Sequence, residues 1–174
     1  CFTPAAGGGK NMAVAAGEES ERAPLRVLLV EDDPDHAELV KRGLEECRAS
    51  VELVHVEDGE AALAYLQRRD APDSPERPHL ILLDLRLPDG DGTALAPQLK
   101  EVQPDGEVVL LTGFATLESA VAAVRAGACA YLVKPCATQE LLVTVAQALR
   151  QVRLPAGKRD LSRRAQMAEK LAAV

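Results

Sequence analysis

The chain has 174 residues, room for one domain with tails, and its 47% apolar and 27% charged residues are the balance of a globular protein. A formal charge of −7 argues against nucleic acid as a direct partner, and no apolar run approaches the roughly 18–20 residues that a membrane-spanning helix needs. Aromatic residues make up 2% of the chain, so a core has to be built from Leu, Val, Ile and Ala.

Residues 1–24 are Ala, Gly and polar, without periodicity and without the apolar stretch of a signal peptide; they are expected to form a disordered tail. Gly7 to Lys10 reads like a purine-rich ribosome-binding site translated in frame, so Met12 is expected to be the true start. Cys1, Cys47, Cys129 and Cys136 contain no CxxC pair, and His36, His55 and His79 are scattered. Neither a zinc site nor a disulfide framework follows; the cysteines are expected to be small buried hydrophobes in a reducing cytoplasm.

From Leu25 two kinds of segment alternate. Short apolar runs at Leu25–Val30, Val51–Val56, Leu80–Leu83, Val108–Leu111 and Ala130–Val133 predict strands, several of them apolar enough to be covered on both faces. Between them, residues 36–46, 60–68, 92–100, 117–126 and 139–150 carry helical spacing. Asp58, Thr116 and Thr138 are suitable N-caps, and Gly127 is a C-terminal stop. Residues 70–78, with Pro72, Pro75 and Pro78, predict a surface loop. Five βα units make a doubly wound α/β domain around a parallel sheet.

Polar residues at the carboxyl ends of the apolar strands carry the chemistry. Strand one ends in Glu31-Asp32-Asp33, strand three in Asp84, strand four in Thr112 and strand five in Lys134-Pro135. Ligands of open α/β sheets bind at such ends, near the point where strand order reverses. A lone acid there is an ordinary turn or cap residue; the conjunction on four strand ends is what points to a site. Carboxylates gathered in one pocket repel one another unless a cation sits among them, and an incomplete oxygen shell suits Mg²⁺. Asp84 is then a candidate nucleophile toward a phosphoryl group, with Lys134 and Thr112 to receive its charge and Gly113 to leave room.

Four motifs complete the pattern: Val27-Leu28-Leu29-Val30-Glu31-Asp32-Asp33-Pro34, Leu80-Ile81-Leu82-Leu83-Asp84-Leu85-Arg86-Leu87-Pro88-Asp89-Gly90-Asp91-Gly92, Leu111-Thr112-Gly113 and Tyr131-Leu132-Val133-Lys134-Pro135. Through them the chain resembles the receiver domain of two-component signalling. The resemblance implies a flavodoxin-like (βα)5 fold with strand order 2-1-3-4-5, in a receiver covering residues 25–153. It implies Asp84 as phosphoacceptor and Mg²⁺ held by Asp32, by Asp84, by Glu31 through water and by the backbone carbonyl of Arg86. Thr112 and Tyr131 correspond to the switch pair, Lys134 to the phosphate-binding lysine, and the Lys134–Pro135 bond is expected to be cis. The implied partner is a histidine kinase or phosphotransfer protein, in the cytoplasm. Asp33, one place past the acid pair, is expected to be solvated, and so is His36 in the first helical turn.

Residues 154–174 are expected to be a linker followed by the start of a helix, on which Met167, Leu171 and Val174 fall at spacings of four and three, as in a coiled coil. Residues 161–174 are similar to the lead-in of the dimerisation helix of sensor histidine kinases. That resemblance implies the N-terminal receiver of a hybrid kinase, cut before its His box, with a homodimer through this helix. As it stands the chain is expected to be no enzyme. A haloacid dehalogenase-type phosphatase is the rival with the same nucleophile, but its Asp-x-Asp pattern fails at Arg86.

Overall fold

A computed structural model describes residues 24–47, 50–68, 76–152 and, in the C-terminal segment, residues 165, 167–169 and 171–172. The expectations for residues 1–23, for most of the proline-rich loop and for the break at 153–164 lie outside the described residues.

The elements run β1 (Leu25–Val30), α1 (Pro34–Glu45), β2 (Val51–Val56), α2 (Gly59–Gln67), β3 (Leu80–Asp84), β4 (Arg86–Leu87), β5 (Gly90–Asp91), α3 (Gly92–Val102), β6 (Glu107–Thr112), α4 (Leu117–Arg125), β7 (Ala130–Val133) and α5 (Thr138–Val152). The main sheet is parallel, in the order β2-β1-β3-β6-β7. Its five strands, counted along the chain, therefore stand 2-1-3-4-5, so the strand order reverses beside β1 and β3. This is the flavodoxin-like α/β fold. The hairpin of β4 and β5, which follows Asp84, was not expected from the sequence.

Alternation along each strand sends side chains to both faces, and both are covered. Leu28, Val30, Ile81, Leu83, Val108 and Leu110 pack with Ala62 and Leu66 of α2, Leu95 and Leu99 of α3 and Ala123 of α4. Val27, Leu29, Leu80, Leu82, Val109, Leu111 and Leu132 meet Val40 and Leu44 of α1 and Leu141, Val145 and Ala148 of α5. Each fully buried Leu or Val contributes about 1.5–3 kcal/mol relative to exposure. β2 is an edge strand, and its exposed Glu52 and His55 break its apolar run.

Helix ends follow local chemistry. Asp33, Asp58, Asp91 and Thr116 accept backbone N–H groups at the starts of α1, α2, α3 and α4. Thr138 is not a cap but the first residue of α5, where the Leu141 N–H is taken by the Ala137 carbonyl. Gly127, at φ +77°, ends α4, and the Ala128 N–H then reaches back to the Ala123 carbonyl at 3.2 Å. Among the described residues Cys47, Cys129 and Cys136 form no disulfide; Cys129 is buried and the other two are half-buried. Met167, 4% exposed, joins the cluster that contains Ala123, Ala126 and Tyr131. One member of the expected coiled-coil stripe is thus spent on the chain's own core. Among the described residues no helix is long and apolar enough to cross a membrane.

Candidate functional site

The register of the sheet assembles the site. Val30 pairs with Leu83, which sets Glu31 beside Asp84 at the carboxyl ends of β1 and β3. Asp84 pairs with Leu111, one residue before Thr112, and the Lys134 N–H donates to the Thr112 carbonyl at 2.6 Å. Glu31, Asp32, Asp84, Thr112 and Lys134 therefore share one edge. Carboxylate oxygens of Glu31, Asp32 and Asp84 lie within 4.8 Å of one another.

Glu31 is wholly buried, and its oxygens are engaged by the protein. Oε2 accepts from His36 Nδ1 at 2.5 Å and from the Lys134 ammonium; Oε1 accepts from the Asp33 N–H at 3.2 Å. Burial pushes its pKa up, but the hydrogen bonds from His36 and Lys134 outweigh it and leave the carboxyl below its ordinary range. Asp84 is nearly buried, and Lys134 Nζ stands 3.2 Å from its Oδ1. Here burial and the neighbouring Glu31 charge prevail over Lys134 and the Arg86 N–H, so Asp84 is pushed up. Asp32 is exposed.

A cation fits this donor set. Glu31 is already saturated and suits a water-mediated contact, whereas Asp32 and Asp84 retain carboxylate oxygens for direct ligation by a hard divalent ion. Room for a ligand also exists beside Thr112, because a Cβ placed on Gly113 would meet nothing within 4 Å. Gly92 plays the opposite part. A Cβ there would collide with the Asp84 carbonyl oxygen, so only glycine lets α3 start against the Asp84 backbone.

Thr112 and Tyr131 meet through one carbonyl. The Thr112 hydroxyl donates to Phe114 O and accepts from Phe114 N, both at 3.1 Å. The Tyr131 hydroxyl lies 2.8 Å from Ser119 Oγ and 3.5 Å from the same Phe114 O. The Tyr131 ring is buried at 7% exposure. Arg86 places its guanidinium 4.8 Å from the Phe114 ring centroid. The Lys134–Pro135 bond is cis.

Three residues were not anticipated. His36 is buried, not solvated: it pairs with Glu31, and the Cys136 thiol and the Glu31 carboxylate push its imidazole up to about 9. Its spacing of four to Val40 and eight to Leu44, both in the core, is the sequence signal that placed it on the buried stripe of α1. Asp89 accepts the N–H groups of Gly59 and Glu60 at 3.0 and 2.8 Å, tying the loop after Asp84 to the start of α2; these contacts hold its carboxyl low. Ser119 serves both the Thr116 capping box and the Tyr131 hydroxyl. Asp33 is exposed as expected, yet it also caps α1.

Residues 27–146 match the family model of the response regulator receiver domain. The regulatory protein LuxO of Vibrio cholerae is 37% identical over 123 residues, 71% of this chain and 25% of LuxO. The response regulator MprA of Mycolicibacterium vanbaalenii is 34% identical over 128 residues, 74% of this chain and 52% of MprA. This chain thus spans between a quarter and about half the length of those relatives. The Mn²⁺-bound form of response regulator Rcp1 superposes with a TM-score of 0.64 at 32% identity, covering 76% of this chain and 100% of Rcp1. A CheY-like receiver domain protein from Methanospirillum hungatei gives 0.63 at 30% identity, covering 75% and 97%.

Proposed function

The chain belongs to the response regulator receiver family, and on that premise we propose that Asp84 is the phosphoacceptor of this receiver, taking a phosphoryl group from the phosphohistidine of a kinase or phosphotransfer protein. The observation that carries the reading is the position of Asp84 at the carboxyl end of β3, with Lys134 Nζ at 3.2 Å and the oxygens of Glu31 and Asp32 alongside. A carboxylate oxygen of Asp84 attacks phosphorus, the phosphorus–nitrogen bond of the donor breaks, and the donor imidazole leaves as the base it was. Lys134 receives the negative charge that arrives on the phosphoryl oxygens, and the Thr112 hydroxyl leaves Phe114 O to hydrogen-bond one of them.

Asp32, Asp84, the Arg86 carbonyl and, through water, Glu31 would hold Mg²⁺, which neutralises the carboxylates and the incoming phosphoryl charge. That the similar Rcp1 has a Mn²⁺-bound form supports divalent-ion binding by this chain. The chain accepts a group and is not itself a turnover enzyme.

The receiver unit is assigned to residues 25–153, with 154–174 as linker and helix. Movement of Thr112 disturbs the carbonyl shared with Tyr131, and Tyr131 lies in the same cluster as Met167, so the helix can feel the switch. The regulators LuxO and MprA favour an output of the regulator kind. The finer alternative, a hybrid kinase dimerising through this helix in the cytoplasm, rests on residues 161–174, and the gene sequence beyond Val174 separates the two. Intact-mass measurement after incubation with acetyl phosphate and Mg²⁺ tests the core reading: one phosphoryl group is expected on the wild type and none on Asp84→Asn.

A further inference from the structure

His36 belongs to no part of the phosphoacceptor reading, yet it makes the shortest contact at the site that involves a side chain outside it. Its imidazole is nine-tenths buried, on the first turn of α1, with Nδ1 2.5 Å from Glu31 Oε2. The same oxygen accepts from the Lys134 ammonium, which also lies 3.2 Å from Asp84 Oδ1. One lysine is thus divided between two carboxylates, and one carboxylate oxygen between two donors. A carboxylate can only accept, so the imidazole nitrogen facing it carries the hydrogen.

This division matters when a phosphoryl group arrives. Lys134 has to move its hydrogen bonds toward the new oxygens and away from Glu31. Glu31 is fully buried, and a buried carboxylate that loses its partner is strongly destabilised. If Lys134 were its sole side-chain donor, Glu31 would hold the lysine back.

Resting on the phosphoacceptor reading, we propose that His36 is a positioning residue: it keeps Glu31 Oε2 hydrogen-bonded while Lys134 transfers to the phosphoryl group, and so releases the lysine for the reaction. His36 touches neither donor nor phosphoryl group and acts only through Glu31 and Lys134. The remaining Glu31 contact, the Asp33 N–H on Oε1 at 3.2 Å, falls on the other oxygen and cannot substitute for it.

The test measures phosphorylation rates of the full chain with acetyl phosphate, together with Mg²⁺ affinity by calorimetry. His36→Leu, which has no donor, should be phosphorylated roughly tenfold more slowly or worse, the worth of one hydrogen bond to a charged group. His36→Gln, which restores an N–H donor, should recover most of that loss, and both variants should bind Mg²⁺ nearly as the wild type does. In a Lys134→Ala background, His36→Leu should cause no further slowing, because the lysine it releases is gone. If His36→Leu fails to fold, His36→Met takes its place. A wild-type rate in the donorless variant overturns the proposal, and so does an equal loss in the Gln and Leu variants accompanied by lost Mg²⁺ binding, which would mark a purely structural role. A wild-type chain that takes no phosphoryl group overturns the receiver reading, and this proposal with it.

Discussion

Lys134 Nζ stands 3.2 Å from Asp84 Oδ1 while it also bonds Glu31, so a single ammonium is shared by two buried carboxylates. Burial and the Glu31 charge push Asp84 up against this shared ammonium, while Glu31, which has His36 in addition, is held down. Asp84 is the buried member of the cluster whose charge is least well matched before a cation arrives.

Asp84→Asn should therefore stabilise the protein without metal. A carboxyl raised by burial and by Glu31 opposes folding increasingly as the pH rises above its unfolded value. The expected gain is on the order of 1 kcal/mol, read as a higher Tm in chelator. Adding Mg²⁺ should narrow the difference, because the ion supplies the missing charge to the wild type.

Asp32 and Asp33 should separate cleanly. Asp32→Ala removes a direct ligand candidate and should weaken Mg²⁺ binding at least tenfold, in line with the loss of a charged ligand. Asp33→Ala removes the cap that serves the Asp35 and His36 N–H groups and should cost about 1 kcal/mol of stability while Mg²⁺ affinity stays near wild type. Calorimetric titration and thermal melts of the two variants check both halves.

Stability without metal should decline on the alkaline side. The His36 imidazole is raised from 6.5 to about 9 by the Cys136 thiol and Glu31, so its contribution is complete below pH 6.5 and is lost as pH rises through about 9. Tm should fall across that window, and His36→Gln should flatten the fall. A wild-type Tm independent of pH from 6.5 to 9 contradicts the pairing.

The buried Met167 gives the C-terminal helix a measurable attachment. Met167→Asp should lower Tm toward that of a chain ended at Val152, because a charge cannot stay in the cluster of Ala123, Ala126 and Tyr131. Truncation of a buried methionine costs roughly 2–5 kcal/mol when its site is well packed. Equal Tm values for the intact and shortened chains would leave the helix without a hold on the receiver.

The strands at Leu25–Val30, Val51–Val56 and Ala130–Val133 agree with the sequence reading to the residue. β3 and β6 are longer than read, because Asp84, Glu107 and Thr112 are polar residues that pair within the ladder, and hydropathy discounts them. The hairpin of β4 and β5 was invisible: two-residue strands carry no period. The grouping of Glu31, Asp32, Asp84, Thr112 and Lys134 was legible because strand ends are fixed by topology. His36 carried a readable signal in its spacing to Val40 and Leu44, whereas the contacts of Asp89 with α2 and of Ser119 with Tyr131 were not legible, because those partners are distant in the sequence.

The central claim is that Asp84, of the three clustered carboxylates, takes the phosphoryl group. Treating the acetyl phosphate-labelled chain with borohydride reduces an aspartyl phosphate to homoserine, and peptide mass spectrometry then locates it. The account predicts a Mg²⁺-dependent conversion at Asp84 alone, lost in Asp84→Asn. Conversion at Asp32 or Glu31, or the same yield in chelator, would contradict it.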